Sequence, residues 1–285
     1  MEPDVIGSPG GGVLGWAIMD TDGLQAPLDP AGLRAELIGT GLGWRRLDVV
    51  ERTGSTNADL LARAAAGEDI AGAVLIAEHQ TAGRGRHGRG WSATPRAQIT
   101  MSAGVSVVDV PTEGWGWLSL AAGVAIVDAV NPLLEVTGRG AGLKWPNDVL
   151  ADGRKLAGIL AEVSRPVVVI GLGLNVFAAP EDVDGATSLV DLGVAAPDRG
   201  GLVGAVLREL GRRIVAWRAA RGADWALAAD YRARSLTIGT RVRAELPGGK
   251  EVVGTANAID DHGRLCVETG TETVVVSAGD VVHLR

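Results

Sequence analysis

Three arginines alternate with four glycines in Gly83-Arg84-Gly85-Arg86-His87-Gly88-Arg89-Gly90, and Trp91 follows directly. Glycine lets a backbone approach a ligand closely and turns its N–H groups toward an anion. Arginine adds forked donors that match phosphate or carboxylate oxygens. The stretch is a candidate anion site, too pliable to hold itself rigid, so that a ligand would order it. Taken alone it also fits an RNA-contacting loop or an inert solvated one. It is not a Walker loop, because no Gly-Lys-Ser/Thr follows, nor a dinucleotide fingerprint.

A second candidate is Lys144-Trp145-Pro146-Asn147-Asp148, followed by Gly153-Arg154-Lys155-Leu156-Ala157-Gly158-Ile159. A lysine, an amide and a carboxylate at a strand end, with a second lysine on the next strand, can gather a polyphosphate and its Mg²⁺. A charged hairpin with Asp148 in a turn is the plain alternative. Ser55-Thr56-Asn57 with Gln80 supplies short groups that both donate and accept, as a neutral ureido-like ligand requires. The same three residues also read as a helix cap. Gly171-Leu172-Gly173-Leu174-Asn175-Val176 is an apolar strand ending in an amide, which by itself is an ordinary strand end.

Lysine use sharpens the second candidate. Only Lys144, Lys155 and Lys250 occur, and every other basic residue apart from histidine is arginine. Arginine replaces lysine on most solvated surfaces, but not where a compact ammonium must enter a tight site. Two of the three lysines fall in this one segment.

These groups need elements to position them. Asp29-Pro30 predicts a capped helix through about Ile38. Trp44 to Val50 reads as a strand, 58–66 as a helix, and 73–79 as a β-leaning run that ends at the Gly/Arg stretch. Ile99 to Val108 alternates like a strand, and Leu118 to Val130 suits a buried helix. Asp152-Gly153 predicts a hairpin turn before a strand over 155–163, and 167–176 is a further strand. Residues 202–219 and 224–234 read as helices, with Leu207, Leu210, Ile214 and Trp217 on one face. After Leu236 come five short β-rich runs: 241–246, 251–258, 264–268, 273–276 and 281–284. Pro247-Gly248-Gly249, Asp261-His262-Gly263 and Gly270 separate some of them, and the set suggests a small closed or nearly closed barrel. Residues 1–28, rich in Gly, Pro and Asp, read as a mobile tail.

The bulk properties narrow the partners. With 285 residues the chain can bury a sizeable core, and its net charge of -7 argues against a general affinity for nucleic acid or anionic membrane. Cys266 is the only cysteine, which excludes an internal disulfide and fits a reducing compartment. The N-terminus lacks the pattern of a signal peptide. The apolar runs near 115–127 and 167–176 fall short of the ~20 residues of a bilayer span.

The succession of Ser55-Thr56-Asn57, Gly83 to Trp91, Lys144 to Asp148, Arg154 to Gly158 and Gly171 to Asn175 resembles the biotin protein ligase family over residues 44–236. The last fifty residues resemble that family's C-terminal SH3-like barrel. The Gly/Arg loop and Lys-Trp-Pro-Asn-Asp together are highly specific. The resemblance implies an α+β fold with a mixed sheet like that of class II aminoacyl-tRNA synthetases. It implies a catalytic domain over 29–236 and the barrel over 237–285. It implies formation of biotinyl-5'-AMP from biotin and ATP, with Mg²⁺, then transfer to a lysine of a biotin carboxyl carrier domain in the cytoplasm.

Residue by residue, the resemblance assigns Ser55, Thr56, Asn57 and Gln80 to the biotin head group, with Arg84, Gly85 and Arg86 closing over it. It gives Lys155 the biotin carboxylate and the acyl-phosphate oxygen, and makes Lys155 and Arg86 the catalytic pair. Arg86, Arg89, Lys144 and Asp148 serve the nucleotide phosphates and Mg²⁺, Asp148 as the metal ligand. Asn147 and Asn175 line the adenylate side, and Trp91 packs near the adenine. Some members carry an N-terminal winged helix-turn-helix and repress transcription. Fewer than thirty Gly/Pro-rich residues precede the first helix here, so no DNA partner is expected. Lipoate protein ligase shares the implied fold and chemistry, and is the nearest rival reading. An RNA-binding protein and a non-catalytic biotin sensor are more distant ones.

Overall fold

The computed structural model describes residues 25–180, 183–246 and 248–284. Helix α1 (Pro30–Leu37) is capped by the Asp29 carboxylate, which accepts from the Ala31 N–H. Strand β1 (Arg46–Val50), helix α2 (Thr56–Ala65) and strand β2 (Ala73–Ala77) form a parallel crossover. A miniature hairpin of β3 (Gly83–Arg84) and β4 (Gly90–Trp91) precedes β5 (Gln98–Ser106), helix α3 (Trp117–Glu135) and β6 (Ala141–Lys144). Then come β7 (Asp148–Ala151), β8 (Arg154–Ser164), β9 (Val167–Asn175), α4 (Arg199–Ala219) and α5 (Trp225–Arg234). The chain ends in β10 (Arg241–Glu245), β11 (Glu251–Ile259), β12 (Leu265–Glu268), β13 (Thr273–Val276) and β14 (Asp280–His283).

Seven strands form one mixed sheet in the order β1-β2-β5-β9-β8-β7-β6. Only β1 and β2 run parallel; the other pairings are antiparallel. β2 and β9 are buried along their whole length, as continuous apolar runs covered on both faces should be. Leu60 of α2 packs with Leu75 and Val169 on one side, while α3 and α4 carry the larger core on the other. The last five strands form a second antiparallel sheet, β13-β12-β11-β10-β14. Its interior residues Val242, Ala256, Leu265 and Val276 belong to the same continuous core as α3.

The two sheets are stitched by buried polar groups. The Trp117 and Trp145 indoles donate to the carbonyls of Asp261 and Gly263 at 2.8 and 3.0 Å. The Trp145 N–H donates to Thr237 Oγ1, which lies 3.0 Å from His283 Nε2. Burial, and then the charge of Lys144, push the His283 imidazole below its usual range.

Three expectations need correction. The apolar run around α3 does not stop near 127: helix runs from Thr112 to Glu135, 24 residues, long and apolar enough by length and composition to cross a membrane. Two thirds of its most apolar window is buried inside the protein, and it is the core helix under the sheet. The supposed tail is anchored where it is described. Leu28 donates its N–H to Glu78 at 2.6 Å, and the Ala26 carbonyl accepts from Arg199 at 3.3 Å. Residues 1–24 of that expected tail lie outside the described residues. Finally, the Gly/Arg stretch, expected to gain order from a ligand, is a paired hairpin without one, and its tip turns through His87 at φ 54° and Gly88 at φ 73°.

The anchor of residues 25–28 is an ion pair between Arg199 and Glu78, with side chains 4 and 2 % exposed. Removing one member leaves the other charged and dry. Arg199→Ala should therefore cost about 3–5 kcal/mol in urea unfolding, whereas replacing both by apolar residues should recover most of that loss. His283 gives a pH signature. Its folded pKa lies below the unfolded value of 6.5, so the unfolded chain binds the extra proton first as pH falls. The contribution is complete above pH ~6.5 and is lost on acidification toward the folded pKa. Thermal melts should show wild type losing more stability than His283→Gln across that window.

Candidate active site

Every residue to which the resemblance gives a role lines one cleft of about 400 Å³, together with Ser102's neighbour Met101 and three residues of β14, whereas Gly83, His87, Gly88 and Arg154 of the same motifs do not line it. Its floor comes from α2 and the central strands. Ser55 caps α2, accepting weakly from the Ala58 N–H. Thr56 gives its backbone N–H to Gln80 Oε1 at 2.8 Å, and its hydroxyl lies 3.0 Å from the same oxygen. The Thr56 hydroxyl also sits 2.6 Å from Ser102 Oγ, which donates to Asn57 Oδ1 at 2.5 Å.

Those three O···O contacts share only two hydroxyl protons. The floor is thus rich in acceptors, and a ligand N–H relieves the shortfall. The Gln80 amide N–H₂ remains to serve a ligand carbonyl. Sequence reasoning missed Ser102. Its signal was present, because Gln98, Thr100 and Ser102 occupy alternate positions of one strand, and all three are buried.

Four of the cleft's cations are paired with carboxylates. Lys155 Nζ lies 2.7 Å from Asp148 Oδ1 and 5.9 Å from the centre of the Trp91 ring. Arg84 donates to Glu162 at 2.9 Å. Arg89 donates to Asp280 at 2.7 Å, and Arg86 lies 3.7 Å from the same carboxylate. Arg86 also donates to Asn147 Oδ1 and to the Gly279 carbonyl, at 3.0 and 3.1 Å. Burial lowers the Arg86 pKa, and Asp280 and Asp148 oppose that. The guanidinium stays charged in either case. Glu162, Gly279 and Asp280 were not singled out from the sequence; Asp280 opens β14 of the other sheet and Gly279 directly precedes it, where no local pattern ties them to the loop.

Glycines shape the wall. A Cβ at Gly173 would lie 2.3 Å from the Trp91 indole, and one at Gly171 would lie 2.2 Å from Asn57 Oδ1. The Gly85 N–H is held by the Arg89 carbonyl at 2.7 Å, closing the hairpin neck. Lys144 ends β6 at the mouth, ahead of the Trp145–Pro146 cis peptide. Two expected ligand amides are already engaged with protein. Asn147 bridges Arg86 and the Ile159 carbonyl, and buried Asn175 bridges Gln98 and the Thr187 carbonyl. Both line the cleft, but their amides position neighbours.

Known proteins match this arrangement. Residues 49–175 match the Biotin/lipoate A/B protein ligase family, and residues 237–284 the Biotin protein ligase C terminal domain. The chain is 69% identical over 267 residues to a biotin–[acetyl-CoA-carboxylase] ligase of Mycobacterium tuberculosis, covering 93% of this chain and 99% of that protein. It is 33% identical over 260 residues to the bifunctional ligase/repressor BirA of Bacillus subtilis, covering 88% of this chain and 76% of that one. In fold it resembles the Aquifex aeolicus biotin protein ligase solved with biotin and ATP, with a TM-score of 0.72 at 22% identity over 85% of this chain and all of that one. The Leishmania major biotin protein ligase solved with biotinyl-5-AMP has a TM-score of 0.56 at 25% identity, covering 85% of this chain and 99% of that one. The chain belongs to the biotin protein ligase family.

Proposed function

We propose that this protein is an ATP-dependent biotin protein ligase that makes biotinyl-5'-AMP and passes the biotinyl group to one lysine of a biotin carboxyl carrier domain. The observation that carries the reading is the pairing of an acceptor-rich neutral floor with cations directly above it, in one cleft. A ureido ring supplies N–H donors and a carbonyl to such a floor. A dithiolane ring offers neither, which sets the reading against a lipoate ligase.

In the first step the biotin carboxylate attacks the ATP α-phosphorus and pyrophosphate leaves. Both reactants are anions. At ~4 Å two unit charges repel by about 1 kcal/mol in water and several times more in a dry site. Lys155, held by Asp148 and steadied over Trp91, is assigned to the carboxylate and the phosphoryl oxygen it joins. Arg86 and Arg89 are assigned to the phosphates and Lys144 to the cleft mouth, with Trp91 beside the adenine. Ser55, Thr56, Asn57 and Gln80 take the head group, under Arg84 and Gly85.

Among the described residues no three His, Cys, Asp or Glu side chains gather to hold a metal. Asp148 is the carboxylate that would hold Mg²⁺ brought with the nucleotide, and the ion would supply charge neutralisation of the phosphates.

In the second step the carrier amine attacks the acyl carbon and AMP leaves. No enzyme nucleophile is required. Cys266 sits in the second sheet, and burial, then Asp260, push its thiol up, against thiolate formation. We place the enzyme in the cytoplasm, and DNA binding forms no part of this reading.

The direct test is transfer of labelled biotin to a purified carrier domain with and without ATP; labelling that ignores ATP would overturn the proposal. Lys155→Ala should lower biotin-dependent pyrophosphate exchange by about 10²-fold or more, with an unchanged melting temperature. Near-normal exchange would remove Lys155 from its role.

A further inference from the structure

One carboxylate oxygen joins the loop to the floor. Glu162 Oε2 accepts from Arg84 Nη2 at 2.9 Å and from Asn57 Nδ2 at 2.8 Å. We propose that Glu162 is a positioning residue for biotin: it locks the hairpin over the cleft and, through Asn57, sets the hydrogen-bond polarity of the floor. The inference rests on the biotin-ligase reading and deepens it.

The polarity argument follows from proton counting. A carboxylate can only accept, so it holds the Asn57 N–H₂ group on its own side. The Leu160 carbonyl, another pure acceptor 3.2 Å from the same nitrogen, reinforces that choice. Asn57 Oδ1 must then face Ser102, whose hydroxyl proton is drawn to it at 2.5 Å. Ser102 can no longer donate to Thr56, so the Thr56 hydroxyl proton must serve either Ser102 or Gln80, and one short contact goes without. The acceptor surplus that favours a ligand N–H is therefore fixed from the far end of the relay, at Glu162.

Steric wedging adds to this. Asn57 lies so close over Gly171 that any Cβ there would strike its amide at 2.2 Å. The amide is held in place there, and which of its two ends faces Ser102 is decided by its partners.

The other half of the bridge concerns Arg84. Its side chain is 42% exposed, and Glu162 is 27% exposed. An exposed pair of this kind contributes little to global stability. It does bias a local equilibrium, since the hairpin of β3 and β4 has only two residue pairs of its own. Loop position and floor polarity thus share one acceptor.

The test uses Glu162→Gln, which keeps size and one acceptor but adds an N–H₂ that lets Asn57 and the relay reverse. The full chain is assayed by biotin-dependent pyrophosphate exchange, with Arg84→Ala and the double variant alongside. Glu162→Gln should raise the KM for biotin about tenfold, equivalent to about 1.4 kcal/mol, with kcat within about twofold and an unchanged melting temperature. Adding Arg84→Ala to Glu162→Gln should raise KM by less than the product of the two single effects.

A substrate-free readout separates this inference from the function it rests on. Trypsin should cut at Arg84, Arg86 or Arg89 several times faster in Glu162→Gln than in wild type. If exchange is absent in wild type, the ligase reading fails while the cleavage result still judges the latch. An unchanged KM with unchanged cleavage, strictly multiplicative effects, or a parallel loss of kcat and melting temperature would overturn the assignment of Glu162.

Discussion

Several cations are crowded into one cleft, and their mutual repulsion is the constraint from which the rest of the site follows. Lys155, Arg84, Arg86 and Arg89 all line the same cavity of about 400 Å³. Left alone, such a cluster would splay outward, and the loop carrying three of the four would leave with it. The fold answers with carboxylates drawn from separate elements: Asp148 from β7, Glu162 from β8 and Asp280 from β14. Each pair is only partly buried, so its strength is modest and its partner exchangeable. An incoming carboxylate or phosphate replaces one anion with another at little electrostatic cost. Preorganised cations without such partners would have been far harder to keep in place before the ligands arrive.

That solution explains why the second sheet is part of the site. Asp280 lies within 4 Å of Arg86, His87 and Arg89, at 3.7, 3.6 and 2.7 Å. The tip of the hairpin is thus held from β14, across the junction at which Trp117, Trp145 and Thr237 bind the two sheets together. A rigid junction is needed, because a shift of β14 moves the hairpin with it. The floor is rigid for another reason. Its polar groups are buried at the start of α2, at Gln80 and at Ser102 of β5, and glycines at 171 and 173 leave room for Asn57 and Trp91.

How much of this was legible in the sequence depends on the range of the interaction. Helix caps and hairpin turns are local, and the Asp29 cap, the Asp152-Gly153 turn and the five C-terminal strands follow from adjacent residues. The site residues were legible because glycine, arginine and lysine occur there in patterns that a solvated surface does not need. The restraint on the Gly/Arg stretch was not legible. Glycine content argues for freedom, whereas order comes from Glu162 and Asp280, respectively 78 and 191 positions away from the arginines they hold. The anchoring of residues 25–28 was hidden for the same reason: Gln25 to Leu28 carry no apolar periodicity, and their backbone is held by Glu78 and Arg199 from remote elements.

The scarcity of lysine now has a structural counterpart. Lys155 Nζ would lie 3.3 Å from a Cβ placed at Gly158, so the ammonium lies close against the strand. Trp91 closes the other side of that notch, 3.1 Å from the same imagined Cβ. A guanidinium is planar and several atoms wider, and it would have to displace either the indole or the Asp148 carboxylate to fit. Arg154, the immediate neighbour on β8, does not line the cleft and instead donates to the Ala186 carbonyl. Of these two successive basic residues, only the one that lines the cleft is lysine. A composition that elsewhere favours arginine yields at the point where charge must be delivered through a narrow gap.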